Sequence, residues 1–291
     1  MGEQTNFLVM GGDQRYVEVV HQLSQKGIHI YLAGYDHLSF SKPNVQHIDS
    51  ENADLSKMDA ILLPLSGTNA DGEVEAEYTD KQWSLTLDML KNMPKHAVVY
   101  TGISNEYLDR ITSEADRKLV KLIARDDVAI LNSIPTAEAT LGIAIQETDI
   151  TIHGANVLIL GFGRTGITLA RLFAATGANV SVAVRKEADA ARITEMGLLP
   201  VRMEDINEEV TNMDICINTV PHEVLNEDVI SHMSPSSLII DIASKPGGTD
   251  FKAANEKGIK AIHALGLPGK TAPKSAGEII SSVLLKLLLQ K

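Results

Sequence analysis

The residues best suited to chemistry in this 291-residue chain are six in a row, Gly161-Phe162-Gly163-Arg164-Thr165-Gly166. An aliphatic run, Val157-Leu158-Ile159-Leu160, precedes them, and a helical pattern through Ile167, Ala170 and Phe173 follows. Strand, G-x-G-x-x-G and helix, in that order, form a site for the diphosphate of a dinucleotide. Gly161 is expected to make the tight turn, Gly163 to let the phosphates reach the backbone, and Gly166 to bring helix and strand close together. The free N–H groups and partial positive charge at the helix start complete such a site. About 20 residues further on, an acidic side chain usually grips the ribose 2′-hydroxyl of NAD. Here the chain reads Val184-Arg185-Lys186, with no acid before Glu187. Arg185, supported by Lys186 and Arg192, suits a 2′-phosphate and favours NADP over NAD.

Other candidates lie at the ends of later aliphatic runs, the edge where open α/β sheets bind ligands. Ile215-Cys216-Ile217-Asn218-Thr219-Val220-Pro221 is expected to bring Asn218, Thr219, Val220 and Pro221 beside the sugar and nicotinamide. Cys216, inside that strand, reads as an inert core thiol. Lys245 and Lys270, on two later loops, are either holders of a substrate carboxylate or solvated charges. His222 and His263 are candidate proton acceptors, whereas His153 falls at the opposite edge of the sheet. None of the nine histidines pairs at a metal-binding helix spacing and Cys216 is the only cysteine, so no metal site is expected.

These residues need a scaffold, and the hydropathy pattern supplies one. Short aliphatic runs at 7–10, 28–32, 60–63, 97–100 and 128–131 read as buried strands, separated by helical patterns such as 15–26. A second series follows at 157–160, 180–184, 215–218, 238–242 and 260–264. The alternation predicts two Rossmann-like, doubly wound parallel-sheet domains joined by a bridging helix, with a cleft between them. The boundary is placed near residue 132, giving an N-terminal α/β domain over 1–132 and a dinucleotide-binding domain over 133–291. Pro135 and Glu138 suit the first turn of the bridging helix. A last amphipathic helix, 273–290, is expected to pack back on the first domain.

Composition narrows the function further. Hydrophobic residues make up 44% and charged residues 22%, ordinary values for a globular protein. The formal net charge of −12 opposes phosphate backbones and anionic lipids, so nucleic-acid and membrane-surface roles are not expected. The N-terminus, Met1 to Asn6, has neither a signal-peptide nor a myristoylation pattern, and the lone cysteine fits a reducing cytoplasm.

Longer segments carry a more specific likeness. Gly11-Gly12-Asp13, Gly102-Ile103-Ser104-Asn105, Asn132-Ser133-Ile134-Pro135-Thr136, Pro246-Gly247-Gly248-Thr249-Asp250-Phe251 and Gly266-Leu267-Pro268-Gly269-Lys270-Thr271-Ala272-Pro273-Lys274 resemble the A-subunit family of dipicolinate synthases across essentially the whole chain. The two-domain layout is more distantly similar to alanine and 2-hydroxyacid dehydrogenases. The resemblance implies an enzyme of the mother-cell cytoplasm of sporulating bacteria. It implies dehydration of 4-hydroxy-tetrahydrodipicolinate and NADP-dependent oxidation to pyridine-2,6-dicarboxylate, with a flavoprotein-like second subunit as partner. The chain is expected to form a homo-oligomer.

A substrate with two carboxylates calls for cations. Arg15 is the first candidate for an Arg–carboxylate fork, and Arg125, Lys245, Lys270 and Lys274 follow. Ser66, Thr68, Ser104, Asn105, Asn132 and Ser133 are polar candidates on strand-end segments. Two other readings stay open: an alanine- or hydroxyacid-dehydrogenase-like enzyme, and an NADP-binding subunit without catalysis of its own.

Overall fold

The computed structural model describes residues 5–48 and 54–289. The N-terminal reading of Met1 to Gln4, and Gln290 at the end of the last predicted helix, lie outside the described residues. Two compact units divide the chain: one formed by Met1–Leu131 with Ala272–Lys291, the other by Asn132–Thr271.

The first unit runs β1 (Asn6–Met10), α1 (Gln14–Gln25), β2 (His29–Ala33), β3 (Val45–His47), β4 (Ala60–Leu62), β5 (Glu73–Val74), β6 (Trp83–Ser84), α2 (Leu87–Asn92), β7 (Val98–Thr101), α3 (Glu106–Glu114) and β8 (Lys118–Lys121). Its main sheet is parallel with strand order β3-β2-β1-β4-β7-β8, and β5 and β6 form a small antiparallel hairpin. Alternate residues of β1 serve both faces. Phe7 and Val9 join one core cluster, while Leu8 belongs to the other with Met10. Such double covering explains why this strand reads as an unbroken aliphatic run.

The 22-residue α4 (Asp126–Glu147) carries the chain into the second unit. There follow β9 (Asn156–Leu160), α5 (Arg164–Ala175), β10 (Asn179–Val184), α6 (Glu187–Glu195), β11 (Leu199–Arg202), α7 (Ile206–Glu209), β12 (Ile215–Asn218), α8 (Glu227–His232), β13 (Leu238–Asp241), α9 (Phe251–Glu256), β14 (Lys260–His263) and α10 (Leu267–Thr271). The sheet is again parallel, in the order β11-β10-β9-β12-β13-β14. Both units are therefore Rossmann-like α/β sheets. The closing helix α11 (Pro273–Leu289) returns to the first unit, where Ile280, Val283 and Leu284 share a core cluster with Tyr16, Val19, Val20 and Leu23 of α1.

The structure corrects the expectation at the junction. Residues 128–131, expected as a strand, form part of α4, and Pro135 lies inside that helix rather than at its start. Proline in a helix interior removes a donor and crowds the carbonyl four residues earlier. Here the helix tolerates it at a buried position, with Val128 anchored in the first unit's core and Ala137, Ala139 and Ala144 in the second's. In place of the buried strand expected there, the sheet ends with the earlier β8, whose Lys118 and Lys121 ends are exposed. By length and composition α4 is long and apolar enough to cross a membrane, and its buried alanines serve these cores instead.

Candidate functional site

The turn from β9 to α5 has the shape its glycines predict. Gly161 sits at φ +95°, and a Cβ there would meet Thr219 Oγ1 at 2.7 Å. At Gly166 a Cβ would lie 2.2 Å from the Gly161 carbonyl oxygen, so α5 packs against the turn at glycine distance. At Gly163 an added Cβ meets nothing within 4 Å, and no side chain caps the helix there. In contrast Asp13, Thr86, Asn105, Asn226 and Asp250 each cap their own helices. The start of α5 is thus left without a side-chain cap, the condition for seating an anion. Phe162 packs on the core beside the turn, while Arg164 is exposed and Thr165 half-buried.

The end of β12 is tied to this turn. Thr219 donates its backbone N–H and its hydroxyl to the Leu160 carbonyl, at 3.1 and 2.8 Å. Asn218 is fully buried and spends its amide locally. Its Oδ1 accepts from the Val220 N–H, and its Nδ2 donates to the Val220 carbonyl, both at 3.0 Å. It shapes the turn that presents half-buried Val220 and exposed Pro221.

At the end of β10, Arg185 and Lys186 are exposed and line a cleft of about 360 Å³ together with Glu187, Thr194 and Arg202. Arg192 does not line that cleft; its Nη1 donates to Glu195 at 2.9 Å on the surface of α6. The sequence reading missed Arg202 because the proline-containing strand carrying it, β11, was not recognised.

Two further loops leave the same sheet edge. Asp241 is fully buried and accepts from the Ala243 N–H (2.9 Å), the Gly248 N–H (2.9 Å) and the Thr249 hydroxyl (2.7 Å). It thereby fixes the loop carrying the exposed Lys245. Nothing in the spacing singled Asp241 out beyond its place at the end of an aliphatic strand. His263 stacks near Phe251 (centroids 5.4 Å apart), whereas His222 and Lys270 are exposed. Cys216 is fully buried, and burial pushes its thiol up to about 12. On α4, Ser133 is buried and its hydroxyl lies 2.6 Å from that of Thr168, while the Asn132 carbonyl accepts from Thr136.

The first unit treats its corresponding turn differently. Asp13 caps α1 and also holds Arg15, whose Nε lies 2.9 Å from both carboxylate oxygens and whose Nη2 completes the fork. Burial works against the Arg15 charge, and the Asp13 carboxylate more than offsets it, raising the guanidinium's pKa. The hairpin arm covers the turn: Gly12 donates to the Glu75 carbonyl at 2.8 Å and Glu77 donates to the Gly12 carbonyl at 3.1 Å. A carboxylate thus occupies the place that the second unit leaves open.

Of the polar candidates in this unit, Ser66 donates to Glu75 at 3.2 Å. Thr68 is buried with an unpartnered hydroxyl. Asn105 accepts from the Leu108 N–H and donates to the Thr68 carbonyl at 2.6 Å. Ser104 bonds to Asp109 and helps hold that carboxyl below its usual range, after the larger effect of Lys121. Arg125 forks onto Asp127 at 3.0 and 2.9 Å, and Lys274 is exposed.

A doubly wound parallel sheet with an open glycine turn at its first helix, in a chain that carries a second α/β unit, defines a dehydrogenase-type dinucleotide-binding protein. The profile of the alanine dehydrogenase/PNT C-terminal domain matches residues 130–290, and that of the N-terminal domain of the dipicolinate synthase A subunit matches residues 6–123. The chain is 49% identical over 97% of its length, and 95% of the relative's, to the A subunit of Bacillus subtilis dipicolinate synthase. This chain belongs to the A-subunit family of dipicolinate synthases.

Solved structures agree. The corresponding protein from Bacillus halodurans superposes with a TM-score of 0.94 at 47% identity, covering 98% of this chain and 97% of that one. A transhydrogenase from Sinorhizobium meliloti shares the fold at a TM-score of 0.70 and 16% identity, covering 97% and 93%.

Proposed function

We propose that this chain carries out the oxidative step of dipicolinate formation with NADP, acting on the ring that remains after 4-hydroxy-tetrahydrodipicolinate loses water. The observation that carries the reading is the 49% identity with the Bacillus subtilis relative over nearly the whole of both chains. The open turn at Gly163 and the exposed Arg185 and Lys186 support NADP as the oxidant. When bound, NADP accepts the hydride. Loss of that hydride and of one ring proton makes the pyridine aromatic.

The chain's own residues position, neutralise and deprotonate. The α5 N–H groups hold the diphosphate, and Arg185 with Lys186 holds the 2′-phosphate. In the first unit Arg15 is the candidate for a substrate carboxylate, with Ser66, Thr68, Ser104 and Asn105 as polar candidates; in the second the candidates are Lys245 and Lys270, with Asn132 and Ser133. His222 takes the ring proton to solvent. A second, flavoprotein-like subunit works with this one in the cytoplasm of a sporulating cell.

The test is to mix the purified chain with NADP and freshly generated precursor, with and without the second subunit, and follow NADPH absorbance and dipicolinate together. Equimolar NADPH and dipicolinate from this chain alone is the expected outcome. Turnover of pyruvate with NADH and none of the precursor would identify a dehydrogenase of the other type. Dipicolinate formed without NADPH would leave the chain a binding subunit.

A further inference from the structure

The cleft at the end of β10 holds a cation that the glycine motif and its following strand do not supply. β10 and β11 pair so that Val184 stands opposite Arg202, which brings Arg202 to the same strand-end edge as Arg185 and Lys186. The side chains of Arg185 and Lys186 make no hydrogen bond or ion pair among the described residues. Arg202 is engaged: its Nη2 lies 3.0 Å from Glu187 Oε1 and its Nη1 3.3 Å from Glu204 Oε1. Both pairs are largely exposed, so solvent screening makes them easy to exchange. Glu187 is the one carboxylate lining the cleft among the described residues.

We propose that Arg202 is a third anchor for a 2′-phosphate, and that its exchange between Glu187 and that phosphate sets the discrimination against the unphosphorylated dinucleotide. The inference rests on the NADP reading above and deepens it. A phosphomonoester is close to doubly charged at neutral pH and offers three acceptor oxygens, enough for a guanidinium fork beside Arg185 and Lys186. Once released, Glu187 stays in the first turn of α6, where the helix dipole favours a negative charge. The same pair also disfavours NAD. An unmodified ribose needs a carboxylate acceptor for its 2′-hydroxyl, and Arg202 holds the one that the cleft provides.

The experiment is calorimetric titration of the full chain with NADP, NAD, 2′,5′-ADP and 5′-ADP, in the wild type and in Arg202→Gln, Glu187→Gln, Arg185→Ala and the Glu187→Gln/Arg202→Gln double variant. Residues 187 and 202 are exposed, so these variants fold. Arg202→Gln is expected to weaken NADP and 2′,5′-ADP about tenfold, while NAD and 5′-ADP hold or tighten by up to about threefold because Glu187 is released to the ribose 2′-hydroxyl. Glu187→Gln is expected to tighten NADP about threefold, and that gain should vanish in the double variant. Unchanged NADP affinity in Arg202→Gln, or a Glu187→Gln gain that survives in the double variant, overturns the exchange. If wild type prefers NADP and only Arg185→Ala abolishes that preference, the Arg202 assignment falls and the NADP reading stands. Equal wild-type affinity for NADP and NAD removes both.

Discussion

The carboxylate of Asp214 accepts a hydrogen bond from the backbone N–H of Asn156 at 2.7 Å, and Asp59 does the same for Asn6 at 2.8 Å in the other unit. The likeness extends to the side chains, since Asn156 donates to the Asn212 carbonyl and Asn6 to the Lys57 carbonyl. Each latch ties the start of a first strand to the residue just before its neighbour, β4 or β12. Each follows a short 3-10 turn and a methionine, Met58 or Met213. With the same strand order on both sides, the units repeat one design down to individual hydrogen bonds.

These latches set the first prediction. Asp214→Ala and Asp59→Ala each leave a partly buried N–H without its partner, and each should cost about 1–3 kcal/mol of stability. Urea unfolding of both variants measures this. Because neither aspartate lies near the glycine turn, NADP affinity at low temperature should remain at the wild-type value.

The glycines of the turn should separate into two kinds. Gly166→Ala forces a Cβ within 2.2 Å of a backbone oxygen and is expected to destabilise by about 1–3 kcal/mol. Gly163→Ala has open space, so its melting temperature should hold while NADP binding falls about tenfold or more. Thermal melts paired with titration distinguish the two, and a stability loss in Gly163→Ala would contradict the open turn.

Arg15 and Asp13 offer a third test. Arg15→Ala is expected to raise the KM for the dicarboxylate about tenfold or more with little change in NADP affinity, since it removes one fork. Asp13→Ala should cost about 1 kcal/mol by uncapping α1. An unchanged KM in Arg15→Ala would remove Arg15 from the substrate site.

Cys216 should behave as an inert thiol. With its pKa raised to about 12 by burial, it is neutral at neutral and mildly alkaline pH. A thiol-reactive disulfide reagent at pH 8 should label native protein negligibly and label about one thiol per chain after denaturation. Rapid native labelling would show that the β12 core opens.

The aliphatic strands and the glycine turn were readable because their patterns are local. Val157 to Leu160 and the three glycines carry their meaning within ten residues. The edge strands were not. β8 has only two apolar residues between exposed lysines, and β11, though apolar through Val201, contains Pro200, which argues against a strand in a sequence pattern. Missing β11 also hid Arg202. Residues 128–131 misled for the opposite reason. Their run of apolar side chains suits a strand, but helix packing placed Val128 in the core and left Ile130 and Leu131 largely exposed. Asn218 was singled out by position, whereas its hydrogen bonds are set by the turn it closes.

The filled helix start of the first unit limits how much nucleotide each polypeptide can load. A fold used twice would ordinarily offer two diphosphate seats, but the Asp13 carboxylate already occupies one of them and the 73–77 arm lies across it. Saturation should therefore occur at a stoichiometry of one dinucleotide per chain, leaving the duplicate half to supply recognition surface instead of a second redox centre.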